Sequence, residues 1–97
     1  MKFQLIIRPE AELDIEESYN WYEDQAIGLG DEFLLALQIR LRYVTEDPFI
    51  YQKIHADIRR AVISKFPHAL FYFVSEGKIF VIACVHHKRD PRIWQDR

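Results

Sequence analysis

Residues 79–94 read Ile79-Phe80-Val81-Ile82-Ala83-Cys84-Val85-His86-His87-Lys88-Arg89-Asp90-Pro91-Arg92-Ile93-Trp94. The stretch opens as seven apolar residues and closes as two histidines, three cations, one acid, a proline and a tryptophan. Its apolar half reads as a central strand, and its polar half as the place where that strand leaves the core and meets solvent. A rigid strand that delivers His86, His87, Lys88 and Arg89 at its exit is the best candidate for a working site. Successive residues of a strand point to opposite faces, so His86 and His87 are expected on opposite sides.

Working outward, Glu76-Gly77 is a two-residue turn of the kind that joins antiparallel strands, with glycine taking positive φ. Ala69–Val74 is the preceding strand. If Ser75 pairs with Lys78, Tyr72 lies opposite Val81 and Leu70 opposite Ala83. Both faces of this sheet are then largely apolar. Helices can cover one; the other needs a partner, a terminal segment or an oligomer contact. Pro67-His68 punctuates the chain before Ala69, and Ile58–Phe66 is a further strand with β-branched, alternating character. Alternation sends Arg59 and Lys65 to one face and Arg60 to the other. Phe49–Asp57 is a polar-aromatic loop, and Pro48 ends the helix before it.

The first half reads differently. Phe3–Ile7 is a strand stopped by Arg8-Pro9. Pro9 suits the first position of a helix, where its missing N–H costs nothing, and Glu10, Glu12 and Asp14 suit the positive helix N-terminus. Ala11, Ile15, Tyr19, Tyr22 and Ala26 recur at three- and four-residue steps and mark one buried face, which Leu13 and Trp21 broaden. Gly28-Leu29-Gly30 breaks the helix and Asp31 is the expected N-cap of a second. Phe33, Leu37, Leu41 and Val44 form its main stripe, and Leu34, Leu35 and Ile39 extend the apolar character around it. The expected fold is therefore α+β over one domain, 1–97: an N-terminal strand, a two-helix hairpin, a three-stranded antiparallel meander and a short C-terminal tail.

Ninety-seven residues suit one modest core, and a content of 49% hydrophobic and 29% charged residues is that of an ordinary globular chain. No apolar run approaches the ~20 residues of a membrane span. Lys2 is not followed by a signal-peptide core, so a cytoplasmic setting is expected. The single cysteine, Cys84, lies inside the apolar run and reads as a buried small hydrophobe. Charge is unevenly placed: residues 1–51 carry four cations and eleven acids, net −7, and residues 52–97 nine cations and four acids, net +5. An acidic helical half thus adjoins a basic sheet half able to face an anionic partner.

The candidate chemistry follows from residue type. A histidine beside cations can act as general acid or base, or contact phosphate. Arg59, Arg60, Lys65 and Arg89 are candidate phosphate contacts. Tyr72 can stack on a base or serve as a core tyrosine with one hydrogen-bond partner. Trp94 reads as a packing anchor folding back onto the domain, Pro91 forbids further strand pairing before it, and Arg92 and Arg97 extend the basic edge. No third histidine or cysteine has zinc-ligand spacing, and no Ser/His/Asp set or Gly-rich phosphate loop is present, so neither metal nor cofactor is expected.

The ordered set Arg59-Arg60, Phe66-Pro67, Phe71-Tyr72, Ile82-Ala83-Cys84-Val85-His86, Arg89-Asp90-Pro91 and Trp94 resembles the RelE/ParE family of bacterial type II toxins. So do Pro9–Ile15 and Leu29–Phe33, at the starts of the two helices. The resemblance spans the whole chain. It implies a toxin encoded beside a small antitoxin that wraps it with a helix and an extended segment, as in plasmid-stabilisation modules, with a homodimer or a heterotetramer as possible assemblies. An acidic antitoxin tail suits the basic half. The family has two branches. RelE-like members cut mRNA in the ribosomal A site; by that resemblance Arg59, Arg60, Lys65 and Arg89 hold phosphates, His86 or His87 moves protons and Tyr72 stacks. ParE-like members inhibit DNA gyrase without chemistry; the same basic exit, with Lys88, Arg92 and Trp94, and the helical hairpin then form a protein contact. Two nuclease positions depart here: Ala69 follows His68 where some nucleases have arginine, and Lys88 or His87 stands where a tyrosine follows their histidine. The Arg-Asp-Pro ending with Trp94 is more ParE-like, and that branch is favoured. A binding module that kept the fold without toxicity is the third reading, motivated by the acidic total charge.

Overall fold

The computed structural model describes residues 3–97; Lys2 lies outside them. Strand β1 (Gln4–Ile7) is followed by helices α1 (Pro9–Gln25) and α2 (Leu29–Glu46), strands β2 (Lys53–His55), β3 (Ile58–Val62), β4 (His68–Ser75) and β5 (Lys78–His86), and the short helix α3 (Arg92–Gln95). The five strands form one sheet in the order β1-β5-β4-β3-β2. β1 runs parallel to β5 and the remaining pairs are antiparallel. The expected strand–hairpin–meander plan is present, and the loop expected over Phe49–Asp57 adds a short edge strand, β2, to it.

The helical hairpin is set by its turn. Pro9 opens α1 and Glu10 and Glu12 sit in its first turn, where the helix dipole favours acids. Gly28, at φ 89°, is the N-cap of α2, not Asp31. The Glu23 carboxylate accepts the N–H groups of Gly28 at 3.0 Å and Gly30 at 2.9 Å, doing the work expected of an Asp31 cap. Gly30 is buried against Tyr19: a Cβ there would lie 2.8 Å from the Tyr19 carbonyl oxygen. α1 buries Ala11, Asp14 and Tyr22, while Leu13, Trp21 and Ala26, expected on its buried side, are exposed. The helix lies on the sheet by a narrow stripe, so residues one step off that stripe face solvent.

The helices cover one sheet face, burying Phe33, Leu37, Val44, Leu70, Tyr72, Ile79, Val81 and Cys84 in one cluster. The other face carries a second cluster of Ala69, Phe71, Ile82, Ala83 and Val85, covered by Trp94 with Ile93 packed beside it. Trp94 stacks on Phe71 at 4.8 Å and 13°. The cover that the second face required is therefore supplied by the chain's own terminal segment.

The hairpin register departs from simple alternation at one point. Ser75 pairs with Lys78 and Tyr72 with Val81, as expected, but Phe71 pairs with Ala83 and Leu70 with Cys84 rather than Ala83. A β-bulge absorbs Ile82. Ile82 and Ala83 consequently share the outer face, and from Cys84 onward every β5 side chain is switched to the opposite side.

Candidate functional site

The bulge decides which histidine faces the helices. With unbroken alternation from Val81, His87 would point to the helical side. With the bulge, Cys84 and His86 do, and His86 lies opposite His68 across the ladder. The backbone groups freed at the bulge are taken by an ion pair. Asp14 on α1 accepts the Cys84 N–H at 3.1 Å, and Arg97 donates to the Ile82 carbonyl at 3.1 Å and to Asp14 at 2.5 Å. Arg8 in turn donates to the Arg97 carbonyl at 3.0 Å. Arg97 thus turns inward and is not part of the basic edge, and Asp14, expected as a helix-start acid, lies past the first turn and is a core anchor instead. Burial, helped by the Asp14 charge, pushes the Cys84 thiol up to about 12, so this cysteine is an inert packing group.

At the exit of β5 the chain turns at once. The Arg89 N–H donates to the His86 carbonyl at 2.9 Å and the Lys88 N–H to His86 Nδ1 at 3.1 Å. This turn overrides the expected divergence of the two histidines: His87 lies beyond the strand, and its ring stacks on His86 at 5.0 Å and 25°. His68, which sequence reading treated only as punctuation, joins them, its ring 5.9 Å from His86. Its Nδ1 is 3.0 Å from the Tyr22 hydroxyl. Burial first, then the proximity of His86, His87 and Arg89, lowers the His68 pKa to about 4. Burial, then Cys84, raises that of Tyr22. At neutral pH this is an uncharged imidazole against a protonated phenol. The pairing of His68 with His86 was legible only to a reader who placed the bulge.

The remaining candidates are dispersed. Arg59 donates to the carbonyls of Phe49 at 3.1 Å and Tyr51 at 2.7 Å and lies over the Phe49 ring at 5.3 Å, clasping the loop after α2. It is not a free phosphate contact. Arg60, half-buried, pairs with Phe71 on the outer face, away from Arg59, as alternation requires. Lys65 is not on a strand: β3 ends at Val62, and Lys65 sits in the following turn at φ 70°, lining a groove of about 360 Å³ with Leu35, Ile39 and Phe66. Tyr72 is fully buried and donates to the Pro48 carbonyl at 2.7 Å, which removes it as a stacking surface. Trp94 is buried and withdrawn in the same way. Arg92 grips Asp90 through two nitrogens, at 3.0 and 2.6 Å, on the surface. His86, His87, Lys88 and Arg89 do stay together, with His86 half-buried and the other three exposed. Neither Lys88 nor Arg89 has an acidic partner among the described residues.

Solved structures with this architecture exist. One chain of the "chromosomal ParDE TA system from P. aeruginosa" superposes with a TM-score of 0.68 at 14% identity, over 88% of this chain and 96% of that one. The YoeB dimer from Staphylococcus aureus gives a TM-score of 0.60 at 15% identity, over 90% of this chain and 99% of that one. The fold is of the RelE/ParE toxin type. No protein-family model and no curated protein sequence matches the chain. In this fold Arg59, Arg92 and Arg97 are tied to the chain's own backbone and acids, while Lys88 and Arg89 are left open at the β5 exit.

Proposed function

We propose that this chain is the toxin of a toxin–antitoxin pair, neutralised by direct binding of its antitoxin, and that it acts in the ParE manner by gripping DNA gyrase without chemistry. The observation that carries the reading is the division of the cations. An RNA-cutting site needs several cations converging on one phosphate. Here Arg59 is held by backbone carbonyls, Arg92 and Arg97 by acids, and Tyr72 and Trp94 by burial. What stays open together is the contiguous strip His86 to Arg89, suited to a macromolecular contact, while Arg60 and Lys65 lie apart from it on the outer face and in the turn after β3. Exposed Leu35 and Ile39, at the groove beside Lys65, suit the apolar side of an antitoxin helix. The likeness to a ParDE chain supports the same reading.

The test runs two assays on one preparation: gyrase supercoiling and ribosome-dependent mRNA cleavage. Inhibited supercoiling, relieved by Arg89→Ala, with mRNA left intact, is the expected result. Cleavage that disappears in His86→Ala or His87→Ala while supercoiling proceeds would overturn it. That opposite outcome is the second reading, a ribosome-dependent mRNA endonuclease, and it is favoured by one observation: three imidazoles gathered beside Arg89.

A further inference from the structure

Between α1 and the exit of β5 lies a cleft of about 220 Å³ that shares only Arg89 with the proposed gyrase contact. One wall is a single side of α1, Glu17, Ser18, Trp21 and Tyr22; the other is His68 and Arg89. Trp21 is 58% exposed, and the Tyr22 ring abuts it at 5.1 Å and 85°, fixing the indole while leaving most of it open. Glu17 and Arg89 bring opposite charges to the two walls, yet neither has an ion-pair partner among the described residues. His68 uses Nδ1 on Tyr22, so Nε2 is the ring nitrogen left for a ligand.

We propose that this cleft binds a nucleotide, with the base stacked on Trp21, its N–H donors on the Glu17 carboxylate and its phosphate on Arg89. Each assignment follows from what the group can do. An indole face stacks on any base. An ionised carboxylate accepts hydrogen bonds and cannot donate. A guanidinium grips a phosphate through two parallel N–H bonds. Guanine suits Glu17 best, because its pairing edge offers two N–H donors side by side; adenine and cytosine set a lone pair next to their single amino donor. The exposed cations Lys88 and Arg89 favour approach of the phosphate to that wall and not to the Glu17 wall. The site lies beyond the gyrase reading and needs neither gyrase, ribosome nor antitoxin to be tested.

The experiment follows tryptophan fluorescence of the full chain on titration with the four ribonucleoside monophosphates and with short single-stranded homopolymers. Trp94 is buried against Phe71, so Trp21 supplies the ligand-sensitive signal. Saturable quenching, strongest for guanosine monophosphate, is expected. Glu17→Gln reduces the preference for guanine roughly tenfold. Arg89→Ala weakens all four nucleotides together and flattens the salt dependence, and Trp21→Ala abolishes binding measured by calorimetry. A strand that binds more tightly than its monomer identifies single-stranded nucleic acid as the source of the base; equal affinity identifies a free nucleotide. All three side chains are exposed, so circular dichroism of the variants should match the parent. Absence of saturable quenching, full-strength binding by Trp21→Ala, or a base preference indifferent to Glu17→Gln overturns the proposal.

Discussion

Arg97 and Arg89 sit close together near the end of the chain and are put to opposite uses. Arg97 turns inward, where it meets Asp14 and the Ile82 carbonyl with only 20% of its side chain exposed. Arg89 turns outward at the mouth of a cleft and meets no acid among the described residues. The difference lies in the backbone each can reach. A bulge at Ile82 leaves a carbonyl and an N–H without ladder partners, and buried backbone groups must be satisfied. Asp14 and Arg97 supply one partner each. The exit of β5 satisfies its own turn through His86, so the side chains beyond it are released to solvent.

The sharpest way to break this comparison is Arg97→Ala. It leaves the Asp14 carboxylate buried without its cation and removes a donor from Ile82, a change that costs about 3–5 kcal/mol. Urea denaturation measures it. The double variant Asp14→Leu with Arg97→Met should not recover the loss: it leaves no orphaned ion, but it strips the Cys84 N–H and the Ile82 carbonyl of their partners at the bulge. A loss under ~1 kcal/mol for Arg97→Ala would show that the pair is incidental to the bulge. Nuclear magnetic resonance adds a second readout: if the bulge slips, His86 turns away from His68 and the contact between their rings disappears.

Next in size is Gly30→Ala. The added methyl meets the Tyr19 carbonyl oxygen at 2.8 Å and the Glu23 carboxylate at 2.9 Å. The carboxylate can move only by giving up the two N–H groups that shape the hairpin turn, and the carbonyl belongs to α1 backbone. Overpacking of this kind costs about 1–3 kcal/mol. A thermal melt indistinguishable from the parent would mean that α1 and α2 have slack at their crossing.

His68 tests the open end through pH. Its folded pKa, about 4, lies below the ordinary 6.5, because burial and the neighbouring His86, His87 and Arg89 oppose its charge. Tyr22 faces it from α1, and Glu17 lines the same cleft. Between those two values the unfolded chain binds more protons than the folded one, so stability rises with pH there. The contribution is complete above 6.5 and is lost as pH falls toward 4. Discounted for partial solvation of the ring, it amounts to about 1–2 kcal/mol. His68→Phe should flatten the slope of the denaturation midpoint between neutral and mildly acidic pH; an unchanged slope would assign the effect to other groups.

The order and types of the main elements were legible because they rest on local rules: Pro9 with acids behind it, the Glu76-Gly77 turn, and the apolar run of Ile79–Val85. The exposure of Leu13 and Trp21 was not, since helical periodicity marks a face without saying how wide a stripe the neighbour covers. Lys65 was misplaced because alternation continues smoothly from Ile58 through Phe66 while the chain itself turns after Val62. The bulge left no signal at all in an unbroken apolar run. From that one irregularity follow the inward turn of His86, its pairing with His68 and the roles of Asp14 and Arg97, so the site was legible as a list of residues and not as an arrangement.

The smallest stability effect carries the most functional weight. Arg89→Ala removes an exposed side chain that meets no acid among the described residues and His87→Ala an exposed ring that only stacks on His86, so each should shift unfolding by no more than about 0.5 kcal/mol. If the outward cations are the gripping surface, the same variants release gyrase supercoiling while Arg59→Ala, which loosens the loop at Phe49 and Tyr51, lowers stability and spares the grip. The reverse pattern, with inhibition lost in step with stability whichever arginine is removed, would mean that both classes serve one cooperative fold and that the division between inward and outward cations has no functional content.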